Sequence, residues 1–593
     1  MIRKRFLPVL LAGCLLAGCS ESGSPQSRTD GSGIEESSTV PLPEPIEAMQ
    51  FTQSGVTKTS VHFIEGESQL VLTAPEGAEI YYTLDGSVPD RDSQRYTEPI
   101  VPERSESFFP ACCALRAKAY FADGTESVTA TQTFWTAADV SSLFHNYIVS
   151  VVGDPAEITD APDGIFYGDN AKQRGRDSER AVSVEMIDSD GNTLFSQDAG
   201  MRVFGAASRE SSIKSMKLYA RKSYDPEHGK FALNLFGTFN PEGELIGEYD
   251  KLVLRNAGND FQFAFIRDEF NQTLAAMAGY TDCESVLPVV VYLNGSYYGI
   301  QWMHEALCDD LLKSMYGGKG NGTFRILEGK EKEKKVPEDD PEEAAAAEEF
   351  NQKYAELSEL DLTSDKNFAA VSEYMDVWNY LDYYAFNIYI NNKDWPQNNM
   401  KVYRFEANGE WGYGSEDNQH LDGKWRWWLH DMDYAEGLYE QEETQANYNN
   451  LAEILKPESD RYAPMFAALM KRDECRQYFL GKIQQLMISV FTPEKMDETL
   501  DSLNSVRYLE MVRYFDFLEE LKKTDDTIWI WYQGYTEQTK MIRNFAKERP
   551  EYMNSFLSEA FPEYQQATQT ETQTGTQTET QTETQTAADS QTE

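Results

Sequence analysis

The stretch Tyr389–Phe405, YINNKDWPQNNMKVYRF, places Asp394 five residues ahead of Asn399. Buried carboxylates and amides must pair or ligate, because leaving them unsatisfied costs several kcal/mol. An Asp that orients an acceptor hydroxyl, followed at this spacing by an Asn that holds a divalent cation, is a pair suited to phosphoryl transfer. Downstream, Trp427-Trp428-Leu429-His430-Asp431-Met432-Asp433 sets two carboxylates behind an aromatic strand, where that chemistry needs a second metal-binding Asp. Asn399 with Asp431 offers the oxygen ligands that Mg²⁺ prefers, substrate phosphates completing the set. Each half also has a plainer reading. Asp394 suits a helix cap or an Asx turn, and Asp431 with Asp433 suits calcium or a cap. The two motifs together are more specific than either alone.

Charge and composition narrow the partners. The 593 residues carry a formal net charge of −46, which argues against nucleic acid, whose phosphates demand clustered Lys and Arg. The length predicts two or three domains. No HExxH, GxSxG, GxxxxGK or CxxC spacing is present, so metalloprotease, α/β-hydrolase, P-loop and structural-zinc chemistry find no support. The N-terminus, MIRKRFLPVLLAGCLLAGCS, has basic residues and then a short apolar run, the pattern of an exported chain. Leu16-Ala17-Gly18-Cys19 resembles the bacterial lipobox, so residues 1–18 are expected as a signal peptide and Cys19 as the lipidated first residue. That places the protein at the cell membrane, lipid-anchored, on the extracytoplasmic face. Residues 19–50 lack periodicity and read as a flexible tether. Five further cysteines remain, an odd number; Cys283 and Cys308 are a candidate pair that spacing leaves open.

Behind these residues stand elements that must position them. Residues 51–136 alternate as short strands with turns at Asp85-Gly86 and Asp123-Gly124, which predicts a small all-β sandwich. The run Ile80-Tyr81-Tyr82-Thr83-Leu84-Asp85-Gly86-Ser87-Val88-Pro89, with Leu115-Arg116-Ala117-Lys118-Ala119, resembles the chitobiase/hexosaminidase C-terminal-type module, which implies a spacer or accessory role. Residues 141–562 mix strands and helices. AVSVEMIDSDGNTLFSQDAGMRVFG reads as two strands joined at Asp190-Gly191, SMKLYARKSY as a third, and VLPVVVYLNGSYYGIQWMHE as a hairpin turning at Asn294-Gly295. DEFNQTLAAMAG and EYMDVWNYLDYYAFNIYI have helical spacing, strands are expected on either side of Gly409, and the later content is mostly helical. The charged insert between Glu328 and Glu349 reads as a solvated helix or loop. The Thr/Gln/Glu repeats of residues 563–593 cannot bury a core and read as disordered.

Five motifs in order resemble the CotH (spore-coat) kinases, a family with an atypical protein-kinase-like fold. They are MRVFGAASRESSIKSMKLYAR, LRNAGNDFQFAFIRDEF, VYLNGSYYGIQWMHE, NNKDWPQNN and DMD. The resemblance implies a multidomain chain: the β-sandwich, then an α+β kinase-like domain with a helical C-terminal part. It implies Asp394 as the catalytic Asp, Asn399 and Asp431 as metal ligands with Asp433 sharing that role, and ATP with Mg²⁺ or Mn²⁺ as cofactors. A phosphate-binding cation is also required. Lys214 aligns with the family's Lys-Ser position and is the first choice, Arg209 and Lys217 are alternatives, and Glu305 is expected to pair with that Lys. Gly205-Ala206-Ala207-Ser208 is less polar than the family's usual segment. Arg255 to Asp260 reads as a structural turn. The implied function is transfer of phosphate to Ser or Thr of a protein acceptor. The alternative, favoured by scarce ATP outside the membrane, is a non-catalytic surface protein binding carbohydrate or cell wall.

Overall fold

The computed structural model describes residues 45–564, apart from 66–67, 105–108, 138, 141, 338–339, 410–417, 527 and 529–531. Cys19, the signal peptide, most of the tether and nearly all of the Thr/Gln/Glu tail lie outside the described residues. The first module is a β-sandwich. A three-stranded sheet (Ile46–Thr52, Gly55–Lys58, Leu70–Thr73) faces a five-stranded one ordered Phe63–Glu65, Ala130–Ala137, Ala111–Tyr120, Glu79–Thr83, Gln94–Arg95. Its first strand begins at Ile46, inside the stretch expected as tether, because Ala48, Met49 and Phe51 are needed in its core.

The strand Ala130–Ala137 is buried along its whole length, not on alternate residues. A strand with only one covered face alternates; this one is covered on both. Its outer face meets the next domain through Trp135, which packs with Phe144, Ile148 and Tyr292. Thr133 bonds Ser150 at 2.7 Å, its backbone N–H donates to Glu185 at 2.7 Å, and His62 reaches Thr193 at 2.8 Å. The module is docked on its neighbour.

That neighbour is a closed barrel of seven strands, numbered here from its own start: β1 (Tyr147–Gly153), β2 (Arg180–Ile187), β3 (Thr193–Phe204), β4 (Ser215–Tyr219), β5 (Lys251–Arg255), β6 (Val286–Leu293) and β7 (Ser296–Glu305). The order is β2-β3-β4-β5-β7-β6-β1, antiparallel throughout except where β6 closes on β1 in parallel. Closure removes the free edges that an open sheet would expose. Val151, Val184, Met201, Leu218, Leu254 and Val289 fill one side of it. Both expected hairpin turns form. At Asn294-Gly295 both residues have positive φ, 48° and 77°, the twist that a two-residue hairpin requires.

Helix α1 (Arg267–Met277) lies between β5 and β6, and α2 (Asp309–Tyr316) follows β7. A second sheet then forms from β8 (Gly322–Gly329), β9 (Met400–Ala407) and β10 (Arg426–Trp428). Strand β8 was not expected. It takes the place beside β9 that the sequence assigned to residues beyond Gly409, most of which lie outside the described set. The charged insert, read as a solvated helix or loop, is helical from Pro341 onward and buries Ala346 and Ala347 on one face. Asp340 caps α3 (Pro341–Ser358), which buries Ala347, Phe350, Tyr354 and Leu357 against the aromatic helix α4 (Val377–Ile390) and its surroundings. Helices continue to Ala560, where the last, Tyr532–Ala560, carries Arg549. Its guanidinium donates to the carbonyls of Ile388 (2.8 Å), Tyr389 (2.9 Å) and Ala446 (2.8 Å), fixing the end of α4. Among the described residues no helix is long and apolar enough to cross a membrane. Cys283 and Cys308 lie in separate hydrophobic clusters and do not form a disulfide with each other.

Candidate active site

Helix α4 ends because Asn391 turns left-handed, φ 56°, and the chain then folds back over its own aromatic face. Trp395 anchors the turn against Tyr384, with ring centroids 4.6 Å apart. Arg461 holds the carbonyls of Asn392 and Trp395, each at 2.6 Å. Between those anchors, the Asp394 carboxylate accepts from Asn399 Nδ2 at 2.7 Å and Asn398 Nδ2 at 3.2 Å. With its nitrogen committed to Asp394, Asn399 has Oδ1 left to offer a cation. Asn399 has φ 52°, and β9 begins immediately after it.

The second motif arrives from β10. Asp431 too sits in the left-handed region, φ 54°, a conformation that Asp and Asn tolerate better than most residues. Burial and then the charge of Asp431 raise the Asp394 carboxyl above its usual range, so the two motifs share one electrostatic site. Facing Asp431 is Arg255, from the end of β5. Its guanidinium bonds Asp431, Asp433 at 2.9 Å and Asp268 of α1 at 3.2 Å. Burial works to raise Asp431, but Arg255 and His430 outweigh it and hold that carboxyl below its usual range. Asp433 goes the other way: burial and Asp431 push it well above.

Arg255 to Asp260 does form a turn, with Ala257 at φ 64° and Gly258 at φ 57°. Its role is larger than that. A Cβ at Gly258 would collide with Asp433, so glycine is required for the approach. Asn259 donates to Asp433 through its backbone N–H (2.8 Å) and Nδ2 (3.0 Å). Arg255, at the end of β5, also ion-pairs with Asp268 in the first turn of the helix that follows, at 3.2 Å. The sequence signal for it is an Arg that closes a β-strand ahead of an acidic helix start, a pattern that the turn reading of Arg255 to Asp260 does not use.

Helix α1 also grips the Asp431 segment directly. Asp268 accepts from Met432 N at 2.9 Å, and Asn271 donates to the Met432 carbonyl at 3.1 Å. A buried chain of acid and imidazole runs alongside: His304 of β7 bonds Glu269 at 3.1 Å and Glu284 at 2.8 Å, and Glu284 bonds His430 at 2.7 Å. Burial acts to lower the His304 imidazole, but the two carboxylates raise it to about 9.

The expected phosphate-binding groups separate. Lys214 is buried and donates Nζ to the Arg209 carbonyl at 2.7 Å. Arg209 is buried as well and donates to the carbonyls of Gly205 (2.7 Å), Ala171 (2.9 Å) and Gln173 (3.0 Å), pinning the β3–β4 loop. Glu305 does not pair with Lys214; it accepts from Ser285 N (3.1 Å), Tyr249 (3.2 Å) and Thr238. The physical reason is register: Glu305 pairs opposite Leu252, on the far side of β5 from the Lys214 loop. Lys217, on β4, lines the cleft that holds Arg255 and His430. The geometry therefore brings Asp394, Asn399, Asp431 and Asp433 together, sets Lys217 and Glu305 in the cleft that Arg255 also lines, and leaves Lys214 and Arg209 in the framework.

Comparison with known families finds two matches. The family described as CotH kinase protein matches residues 201–553, from the end of β3 into the last helix. The chitobiase/beta-hexosaminidase C-terminal domain matches residues 63–108, within the sandwich. No curated protein matches the chain.

Proposed function

The chain belongs to the CotH kinase protein family, and on that premise we propose that it is a surface-anchored phosphotransferase. It passes the terminal phosphoryl group of metal-bound ATP to a Ser or Thr hydroxyl of a protein, and is held at the membrane through a lipid on Cys19. The observation that carries this reading is the convergence of Asp394, Asn399 and Asp431 beside an Arg255–Asp268 ion pair. The donor set suits a hard divalent cation, since it offers carboxylate and amide oxygens and no sulfur. The Asp431 charge also raises the Asp394 carboxyl, a repulsion that a cation between them relieves.

Asn399 Oδ1 and Asp431 would hold Mg²⁺ or Mn²⁺, with Asp433 behind them. When bound, the ion neutralises charge on the donor phosphates. The chain's own residues do the rest. Asp394 orients the acceptor hydroxyl and takes its proton as the oxygen bonds to the terminal phosphorus. The bond from that phosphorus to the bridging oxygen breaks, and ADP leaves with the electron pair. Arg255 and Lys217 balance the phosphate charge that shifts toward the leaving oxygen.

Titration of ATP with Mg²⁺ or Mn²⁺ into wild type, Asp431→Ala and Asp394→Asn, beside a labelled-phosphate transfer assay on candidate surface proteins, tests the assignment. Asp431→Ala should lose metal-dependent nucleotide binding. Asp394→Asn should keep binding within about threefold and lose transfer by about 100-fold or more. A wild-type chain that binds no nucleotide with either metal would leave a kinase-like scaffold without transfer chemistry.

A further inference from the structure

Between α1 and β7 the chain gathers three metal-ligating side chains that no step of the transfer uses. Asp268 and Glu269 come from the first turn of α1 and His304 from β7. One donor atom from each lies within 4.8 Å of the other two, and all three residues are buried. Two of the atoms, His304 Nε2 and Glu269 Oε1, are 3.1 Å apart. Bonds of about 2.1 Å from oxygen or nitrogen to a divalent ion put neighbouring ligands about 3–4 Å apart, so the trio is close to the size of one coordination sphere.

Hydrogen bonding leaves this cluster incomplete. Glu284, the neighbouring buried acid, has both oxygens engaged, Oε2 with His304 Nδ1 at 2.8 Å and Oε1 with His430 Nδ1 at 2.7 Å. Asp260, just ahead of α1, also engages both of its oxygens. Glu269 does not: Oε1 meets His304, and the buried Oε2 has no hydrogen-bond donor. Asp268 Oδ2 also lacks a donor in hydrogen-bond geometry, with the Arg255 ion pair at 3.2 Å beside it. A buried carboxylate oxygen without a donor is destabilising, and a cation shared by the two carboxylates removes that penalty. The imidazole is oriented for such an ion. Ionised Glu284 can only accept, so Nδ1 carries a proton and Nε2 is the nitrogen beside Glu269. A carboxylate on the far nitrogen is what orients a metal-bound His.

We propose that Asp268, Glu269 and His304 bind one Zn²⁺ ion as a structural site that ties the first turn of α1 to β7. In the metal-free chain the Nε2 proton bridges to Glu269; the ion takes that proton's place and releases it to solvent. The unengaged oxygens of Asp268 and Glu269 let the trio supply the four donors of a structural zinc site. An imidazole nitrogen among the ligands suits zinc and not Mg²⁺, which sets this site apart from the all-oxygen pair of Asn399 and Asp431. The three side chains are at most 1% exposed, so no substrate reaches the ion and its work is positional. Asp268 accepts from Met432 N as well, so the ion braces the Asp431 segment from behind. The inference does not depend on the phosphotransferase reading.

The test strips the full chain with chelator, reloads it with ZnCl₂, desalts it and measures bound metal by emission spectrometry. Asp431→Ala serves as the background, so that the other candidate metal site is removed. That chain should retain about one Zn²⁺ per molecule, and excess MgCl₂ should not displace it. It should also melt several degrees higher loaded than stripped. Adding Glu269→Gln should abolish retention, and adding Glu284→Gln should weaken binding about 10–100-fold, each variant first shown to melt cooperatively. X-ray absorption at the zinc edge needs no change in the trio: a shell of nitrogen and oxygen with imidazole scattering supports the site. Retention below about a tenth of an ion per chain overturns it, as does a folded Glu269→Gln chain that keeps its zinc or a spectrum without imidazole. No nucleotide is present in these measurements. If phosphate transfer is found while no zinc is retained, the zinc site falls and the phosphotransferase reading stands; zinc retained through Glu269 without transfer gives the reverse.

Discussion

Three carboxylates, the buried Asp268 and Asp433 and the part-exposed Asp431, meet on the single guanidinium of Arg255. They do not share it equally: Arg255 helps hold Asp431 below its usual range, while burial and the charge of Asp431 push Asp433 well above. His304 solves a similar problem one layer behind. Its ring is 1% exposed and bridges Glu269 and Glu284. Folding raises its pKa from an ordinary value near 6.5 to about 9, so it binds its proton more tightly folded than unfolded. The stabilisation is therefore complete below about pH 6.5 and is lost as pH rises through about 9. His304→Gln should destabilise the chain by roughly 3 kcal/mol at pH 6, and the gap should close between pH 7 and 9.5. Chemical denaturation of both proteins across that range checks it; a gap that stays constant with pH would show that the ring acts by shape and not by charge.

At the scale of elements, α1 does most of the positioning. Its first turn is held by Asp260, whose carboxylate accepts from the N–H groups of Ala264 (3.0 Å), Ile266 (2.8 Å) and Arg267 (3.0 Å) and pairs with the Arg267 guanidinium. Both side chains of that pair are fully buried. The helix then passes its order to the Asp431 segment through Asp268 and Asn271. Asp260→Ala should remove a helix cap and strand a buried guanidinium, for a loss of about 3–5 kcal/mol. Hydrogen exchange should quicken at the amides of both 267–270 and 431–433. If only the helix end loosens, α1 and the Asp431 segment are not coupled.

The whole molecule joins two matched families into one packed body. An accessory module on a tether would leave its outer sheet face wet; here Trp135 is fully buried against Phe144 and Tyr292 of the next domain. Removing residues 45–136 would expose that patch and leave Glu185, 2% exposed in the intact chain, without its Thr133 donor. The shortened chain should melt several degrees lower and bind a hydrophobic dye that the full chain does not. Equal melting temperatures would mean that the contact adds nothing to the stability of the barrel.

Much of this arrangement was legible in the chain itself, because it rests on short-range rules. The hairpins at Asp190-Gly191 and Asn294-Gly295, the helical period of α1 and α4, the sandwich strands and the Asp394–Asn399 and Asp431–Asp433 motifs are each encoded within a few consecutive residues. What a side chain meets from a distant element is not so encoded. The loop carrying Lys214 turns its ammonium onto a carbonyl while Lys217, three residues on, faces the cleft. Strand β8 forms from a segment of mixed charge because β9 offers it a ladder. Arg255 looked like turn chemistry until α1 and β10 brought three carboxylates to it. Local hydrogen bonding and periodicity wrote the elements, whereas long-range electrostatics, visible only when the barrel and the second sheet close on each other, chose which charged residues form the site.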